Sequence, residues 1–142
     1  MPVVRNLVVD SSVMVKWLNV RDELWLKEAK QLIEDCEKGK VILYAPELAV
    51  YEVGNALVYK GLELWELEES LERLYIMPVK WLKTGVEEAK RIGAVALEQR
   101  MTFYDATFVG LAVKLGATLV TDNPKHQGKF EGVKVVALKD YK

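Results

Sequence analysis

Four carboxylates stand where chemistry is expected in an α/β chain. Asp10 closes the apolar run "NLVVD" (6–10), and Glu52 lies within "PELAVYEVGNALV". Asp105 falls in the first turn of "MTFYDATFVGLAVKLG" (101–116), and Asp122 follows "ATLVT" (117–121). Carboxylates brought together repel, which raises their pKa values or draws in a cation. No histidine or cysteine accompanies them. An all-oxygen set of this kind suits Mg²⁺ or Mn²⁺. Such ions activate water and neutralise phosphoryl oxygens, so phosphate chemistry is the expectation.

Each acid also has a purely structural reading. Thr102 and Asp105 have the spacing of a capping box, and an acid in a first helical turn is favoured by the helix dipole by about 0.3–1 kcal/mol. Asp10 suits a turn or an N-cap at a strand–helix junction. Glu52 on a partly exposed helix can face solvent. Asp122-Asn123-Pro124 is an ordinary turn sequence. The functional reading gains from placement, because three of the four sit at element ends that one fold class brings together. In parallel α/β sheets, ligand sites form beyond the carboxyl ends of the strands.

The elements that must position these acids alternate along the chain. Strands are expected at 6–10, 41–45, within 75–81, at 117–121 and at 133–138. Pro78 confines the third to an edge or a strand end. Helices are expected at 11–19 with Ser11 as cap, 21–40, 46–61, 62–77, 84–100 with Thr84 as cap, and within 101–116 with Thr102 as cap. The last is apolar or small on most of its circumference, which implies burial between other elements. Residues 1–142 then form one α/β domain, a mainly parallel central sheet with helices on both faces.

Composition narrows the partners. Of 142 residues, 51% are hydrophobic and 29% charged, a globular mixture with net charge −1. A global positive field for gripping nucleic acid is absent, so any such contact needs a local basic patch. Lys125, His126 and Lys129 offer a small one in the 122–132 loop, where a solvated surface is the ordinary outcome. The four tryptophans fit core or interface roles better than base stacking. Cys36 is the only cysteine, which excludes an internal disulfide and makes a reducing cytosol the natural compartment. The N-terminus lacks a signal-peptide pattern, and no run approaches the ~18 apolar residues of a membrane span.

Taken together, "VVDSSVMVKWL", "APELAVYEVGNAL", "TFYDATFVGLA" and "LVTDN" resemble the PIN-domain ribonucleases, and most of all the VapC toxins of toxin–antitoxin pairs. The four blocks span residues 8–123. The resemblance implies a Mg²⁺-dependent endoribonuclease leaving a 5′-phosphate and a 3′-hydroxyl. On it, Asp10, Glu52 and Asp105 fall on three core acids. Ser12 supports the first carboxylate, and Asn55 matches a polar position near the site. The family pattern Thr-x-Asp or Thr-x-Asn places Asn123 at the fourth position and Asp122 in the variable place. Asp122 is favoured there, as a metal ligand or water-holder, because it is the charged one of the two. The same resemblance implies an RNA substrate, a VapB-like antitoxin and a homodimer. Two alternatives stand beside it. One is a degenerate PIN scaffold that only binds a partner. The other is an unrelated α/β phosphotransfer domain, although "DSS" lacks the second acid that a dehalogenase-type Asp-x-Asp requires.

Overall fold

The computed structural model describes residues 3–124 and 132–142. β1 (Arg5–Val9) leads into α1 (Ser11–Leu18) and α2 (Leu26–Glu37). β2 (Val41–Pro46), α3 (Leu48–Val58), α4 (Leu64–Ile76) and β3 (Val79–Leu82) follow. α5 (Val86–Gln99), α6 (Phe103–Leu115), β4 (Thr118–Thr121) and β5 (Val135–Ala137) complete the order. A single 3-10 turn at Leu138–Asp140 closes the chain.

The strands form one sheet in the order β3-β2-β1-β4-β5, and every pairing is parallel. β1 lies at the centre, which its sequence explains. Leu7, Val8 and Val9 are 2%, 0% and 0% exposed. Successive strand residues point to opposite faces, so three consecutive buried residues require cover on both sides of the sheet. β3 is an edge strand. Pro78 precedes it, where the missing N–H costs no ladder bond.

The strand order reverses at β1, between neighbours β2 and β4. This opens a crevice at the carboxyl ends of those strands. α6 packs on β1, β2, β4 and α5. Ala106, Phe108, Val109, Leu111 and Ala112 are buried on it, as its apolar composition requires. A Cβ on Gly110 would come within 3.0 Å of Ile92 Cγ1, so glycine lets α5 and α6 approach closely. Gly116, at φ +59°, ends the helix in the left-handed conformation that glycine adopts most freely.

Three boundaries differ from the sequence expectation. The helix expected from residue 21 begins at Leu26, because Asp22 and Trp25 take left-handed backbone conformations. Leu24 and Trp25 are consequently exposed rather than on the buried stripe. The cap of α5 is Gly85 and not Thr84. The third strand is confined to Val79–Leu82, because α4 runs on to Ile76.

Candidate active site

Asp10 is the first residue beyond β1. Its N–H donates to the Val120 carbonyl of β4 at 3.0 Å. Its own carbonyl accepts the N–H groups of Val13 and Met14. Asp10, not Ser11, is therefore the N-cap of α1, and it caps through the backbone with no side-chain bond. The carboxylate is free for other work. Its Oδ2 accepts the hydroxyls of Ser12 and Thr121, each at 2.8 Å. Burial pushes its pKa up. The two hydroxyls and the Ser11 N–H oppose that, and the negative charge of Asp105 adds to it.

Glu52 reaches the same place from α3. Its Oε1 accepts the Ser11 hydroxyl at 2.9 Å, which ties α3 to the start of α1. Burial is again the main cause of a raised pKa, with repulsion from Asp10 and Asp105 added and the Ser11 bond opposing. Asp105 arrives on the first turn of α6. Thr102 caps that helix, its Oγ1 accepting the Asp105 N–H at 3.0 Å. The return bond of a full capping box is absent among the described residues. The Asp105 side chain is thus not spent on the cap.

Asp10, Glu52 and Asp105 share one electrostatic field. Among the described residues, no three His, Cys, Asp or Glu side chains stand together as a ready metal cage. The donor chemistry fits a hard divalent cation. Two of the three acids hold raised pKa values, and neither Glu52 Oε2 nor the Asp105 carboxylate has a hydrogen-bond donor among the described residues.

Asp122 and its neighbours are held differently. The Asp122 N–H donates to Ser12 Oγ at 3.1 Å, and its Oδ2 pairs with Lys16 Nζ at 3.0 Å. The Asn123 N–H donates to Thr121 Oγ1 at 3.1 Å. Direct bonds therefore join Asp10, Ser12, Thr121 and Asp122, and the shared field joins Glu52 and Asp105 to them. The side chains of Asn55 and Asn123 are exposed and make no hydrogen bond to this group among the described residues. Lys125, His126 and Lys129 lie outside the described residues.

Sequence reading passed over Ser11, Thr121 and Lys16. Ser11 was expected only as a cap. Thr121 ends an apolar strand and is fully buried, so its hydroxyl had to find an internal partner. Lys16 is the lone cation in "SSVMVKWL", and its place among apolar residues was the available signal.

Known proteins share this architecture. The sequence matches the PIN domain family over residues 7–130. It is 30% identical over 139 residues to Ribonuclease VapC3 of Pyrobaculum aerophilum, covering 88% of this chain and 95% of that protein. The crystal structure of PAE2754 from Pyrobaculum aerophilum superposes with a TM-score of 0.68 at 24% identity, covering 95% of this chain and 90% of that one. VapBC2 from Rickettsia felis, solved bound to a DNA fragment from its promoter, gives a TM-score of 0.71 at 15% identity, covering 93% and 98%. The two structural likenesses speak to the fold, and the sequence matches to descent. The chain belongs to the PIN domain family and is VapC-like within it.

Proposed function

We propose that this chain is a metal-dependent endoribonuclease that hydrolyses RNA phosphodiester bonds as the toxin of a VapBC-type pair. The carrying observation is the convergence of Asp10, Glu52 and Asp105 in one field at the reversal point of the sheet. The relative named a ribonuclease supports it.

In this reading, Asp10 and Asp105 would hold Mg²⁺ or Mn²⁺, and Glu52 would complete the oxygen set. Such an ion would supply an activated water and neutralise charge on the phosphoryl oxygens. Ser12 and Thr121 hold Asp10 Oδ2, so that carboxylate keeps one orientation. Ser11 does the same for Glu52. Asp122 sits at the rim and orients a water through its Oδ1. Asn123 and Asn55 contact the nucleic acid beside the acids. Because Asp10 and Asp105 lie at element ends and Glu52 within a helix, little reorganisation is needed when the substrate arrives.

The partners follow from surface chemistry. Tyr51, Val58, Leu64, Trp65, Tyr75 and Ile76 are exposed on α3 and α4, which pack together. Large apolar residues left in water mark a surface that another chain covers. A second copy and a VapB-like antitoxin are the proposed occupants. A solved neighbour is a VapBC complex, and another is a toxin–antitoxin complex from Klebsiella pneumoniae. A basic antitoxin side chain would enter the acidic site as a cation mimic. Incubation with mixed RNA tests the activity. Cleavage with Mg²⁺ that stops in EDTA is expected, and cleavage unaffected by EDTA overturns the metal role.

A further inference from the structure

Lys16 is the one charged residue on α1, and its side chain is only 1% exposed. A buried ammonium is strongly destabilising unless its N–H groups find acceptors. It has three N–H donors. Here the Leu24 carbonyl accepts at 2.8 Å and Glu23 Oε1 at 3.1 Å, and Asp122 Oδ2 forms an ion pair with the ammonium at 3.0 Å. The charge is thus compensated by two carboxylates, and none of the three partners belongs to α1. Two come from the segment before α2, and the third comes from the residue after β4. Glu23 is fixed in turn, because its Oε2 meets Lys60 Nζ at 2.8 Å. The Lys60 ammonium also donates to the Arg21 carbonyl.

This arrangement divides the acids into two kinds. Asp10 is raised in pKa by burial and by Asp105, and Glu52 by burial, Asp10 and Asp105, and neither carboxylate has an ion-pair partner among the described residues. Asp122 is compensated by a direct ion pair and is bonded onward to Asp10. Its N–H donates to Ser12 Oγ, and the Ser12 hydroxyl donates to Asp10 Oδ2. One ion pair and two hydrogen bonds thus connect the buried ammonium to the central carboxylate. Asp122 Oδ1 has no partner among the described residues.

We propose that Lys16 is the positioning residue for Asp122. It clamps Oδ2 and leaves Oδ1 to hold a water beside the Asp10 carboxylate. The inference rests on the ribonuclease reading of the site. It separates the roles of the acids: Asp10, Glu52 and Asp105 take the metal, whereas Lys16 and Asp122 act together on the water.

The test compares the wild-type chain with Lys16→Met, Asp122→Asn and the double variant, at a temperature where circular dichroism shows each folded. In each single variant, kcat falls by about tenfold or more while the RNA KM stays within about twofold. The double variant loses no more than the worse single one, because the two residues form one unit. The rise in melting temperature on adding Mn²⁺ alone persists in both single variants. A merely structural lysine would lower the melting temperature and leave kcat intact in the folded protein. Should Lys16→Met not fold, Asp122→Asn interrogates the same link from its exposed side. Wild-type kcat in a folded variant, or losses that multiply in the double variant, would overturn the proposal. A further readout needs no activity. The ¹⁵N signal of the Lys16 ammonium must shift in Asp122→Asn, and an unchanged signal refutes the clamp. A wild-type chain that cleaves no RNA overturns the ribonuclease reading instead, and the ammonium signal still decides whether Lys16 holds Asp122.

Discussion

At the scale of single residues, the same carboxylate is held by two hydroxyls and repelled by a neighbour. Asp10 is buried and accepts Ser12 and Thr121, while the charge of Asp105 presses on it. A carboxyl that binds its proton more tightly in the folded chain stabilises the fold at low pH. That contribution is lost as pH rises from 3.8 through the raised folded value. Asp10→Asn keeps an oxygen for both hydroxyls and removes the charge. Its melting temperature in EDTA is therefore expected above wild type at pH 7, with the advantage shrinking towards pH 4. A variant less stable than wild type at pH 7 would show that the charge is not a burden. Sequence alone pointed to the acids because their types and element ends are visible in a string. Their supports were less visible. Ser11 read as a cap, and its bond to Glu52 spans 41 residues of sequence. Lys16 read as one charge on a helix, since its acceptors come from a loop and from the far end of β4.

At the scale of elements, α6 carries two duties in its first turn. Thr102 satisfies a backbone N–H, and the side chain of the residue that owns that N–H remains available. Thr102→Ala should cost about 1 kcal/mol of stability in urea unfolding, the usual worth of an N-cap. Phe108, one turn after Asp105, is 1% exposed, and Phe108→Ala should cost about 3–5 kcal/mol. A loss below about 1 kcal/mol there would mean that α6 is not the buried element described. The order of strands and helices was legible because periodicity and β-branched runs mark it. The start of α2 was not. Leu24 and Trp25 fit a helical stripe, yet Asp22 and Trp25 adopt left-handed backbone while Glu23 and Leu24 supply acceptors to Lys16. A tertiary demand overrode a local pattern, and nothing within residues 21–25 announces it.

At the scale of the whole molecule, the net charge of −1 leaves RNA binding to local features. Among the described residues, no helix is long and apolar enough to cross a membrane. The exposed apolar residues of α3 and α4 give the proposed assembly its own test. Trp65→Glu should shift sedimentation towards a monomer and weaken antitoxin binding, while the melting temperature of the isolated chain changes little, because Trp65 is 66% exposed. Self-association equal to wild type in that variant would place the dimer contact elsewhere. The apolar content of residues 47–74 hinted at a covered surface, but which residues stay outside depends on how α3 and α4 pack.

The central claim is that Asp105 is a metal ligand on a helix start and not merely a member of its cap. RNA cleavage by Asp105→Asn, measured with Mg²⁺ where circular dichroism shows the variant folded, tests it most directly. Replacing one member of a repelling cluster should leave folding intact or improved. Losing about 3–4 kcal/mol of transition-state stabilisation corresponds to a fall of roughly two to three decades in rate. That fall is the predicted result. Cleavage near the wild-type rate in the folded variant would contradict it, and with it the active site built on Asp10, Glu52 and Asp105.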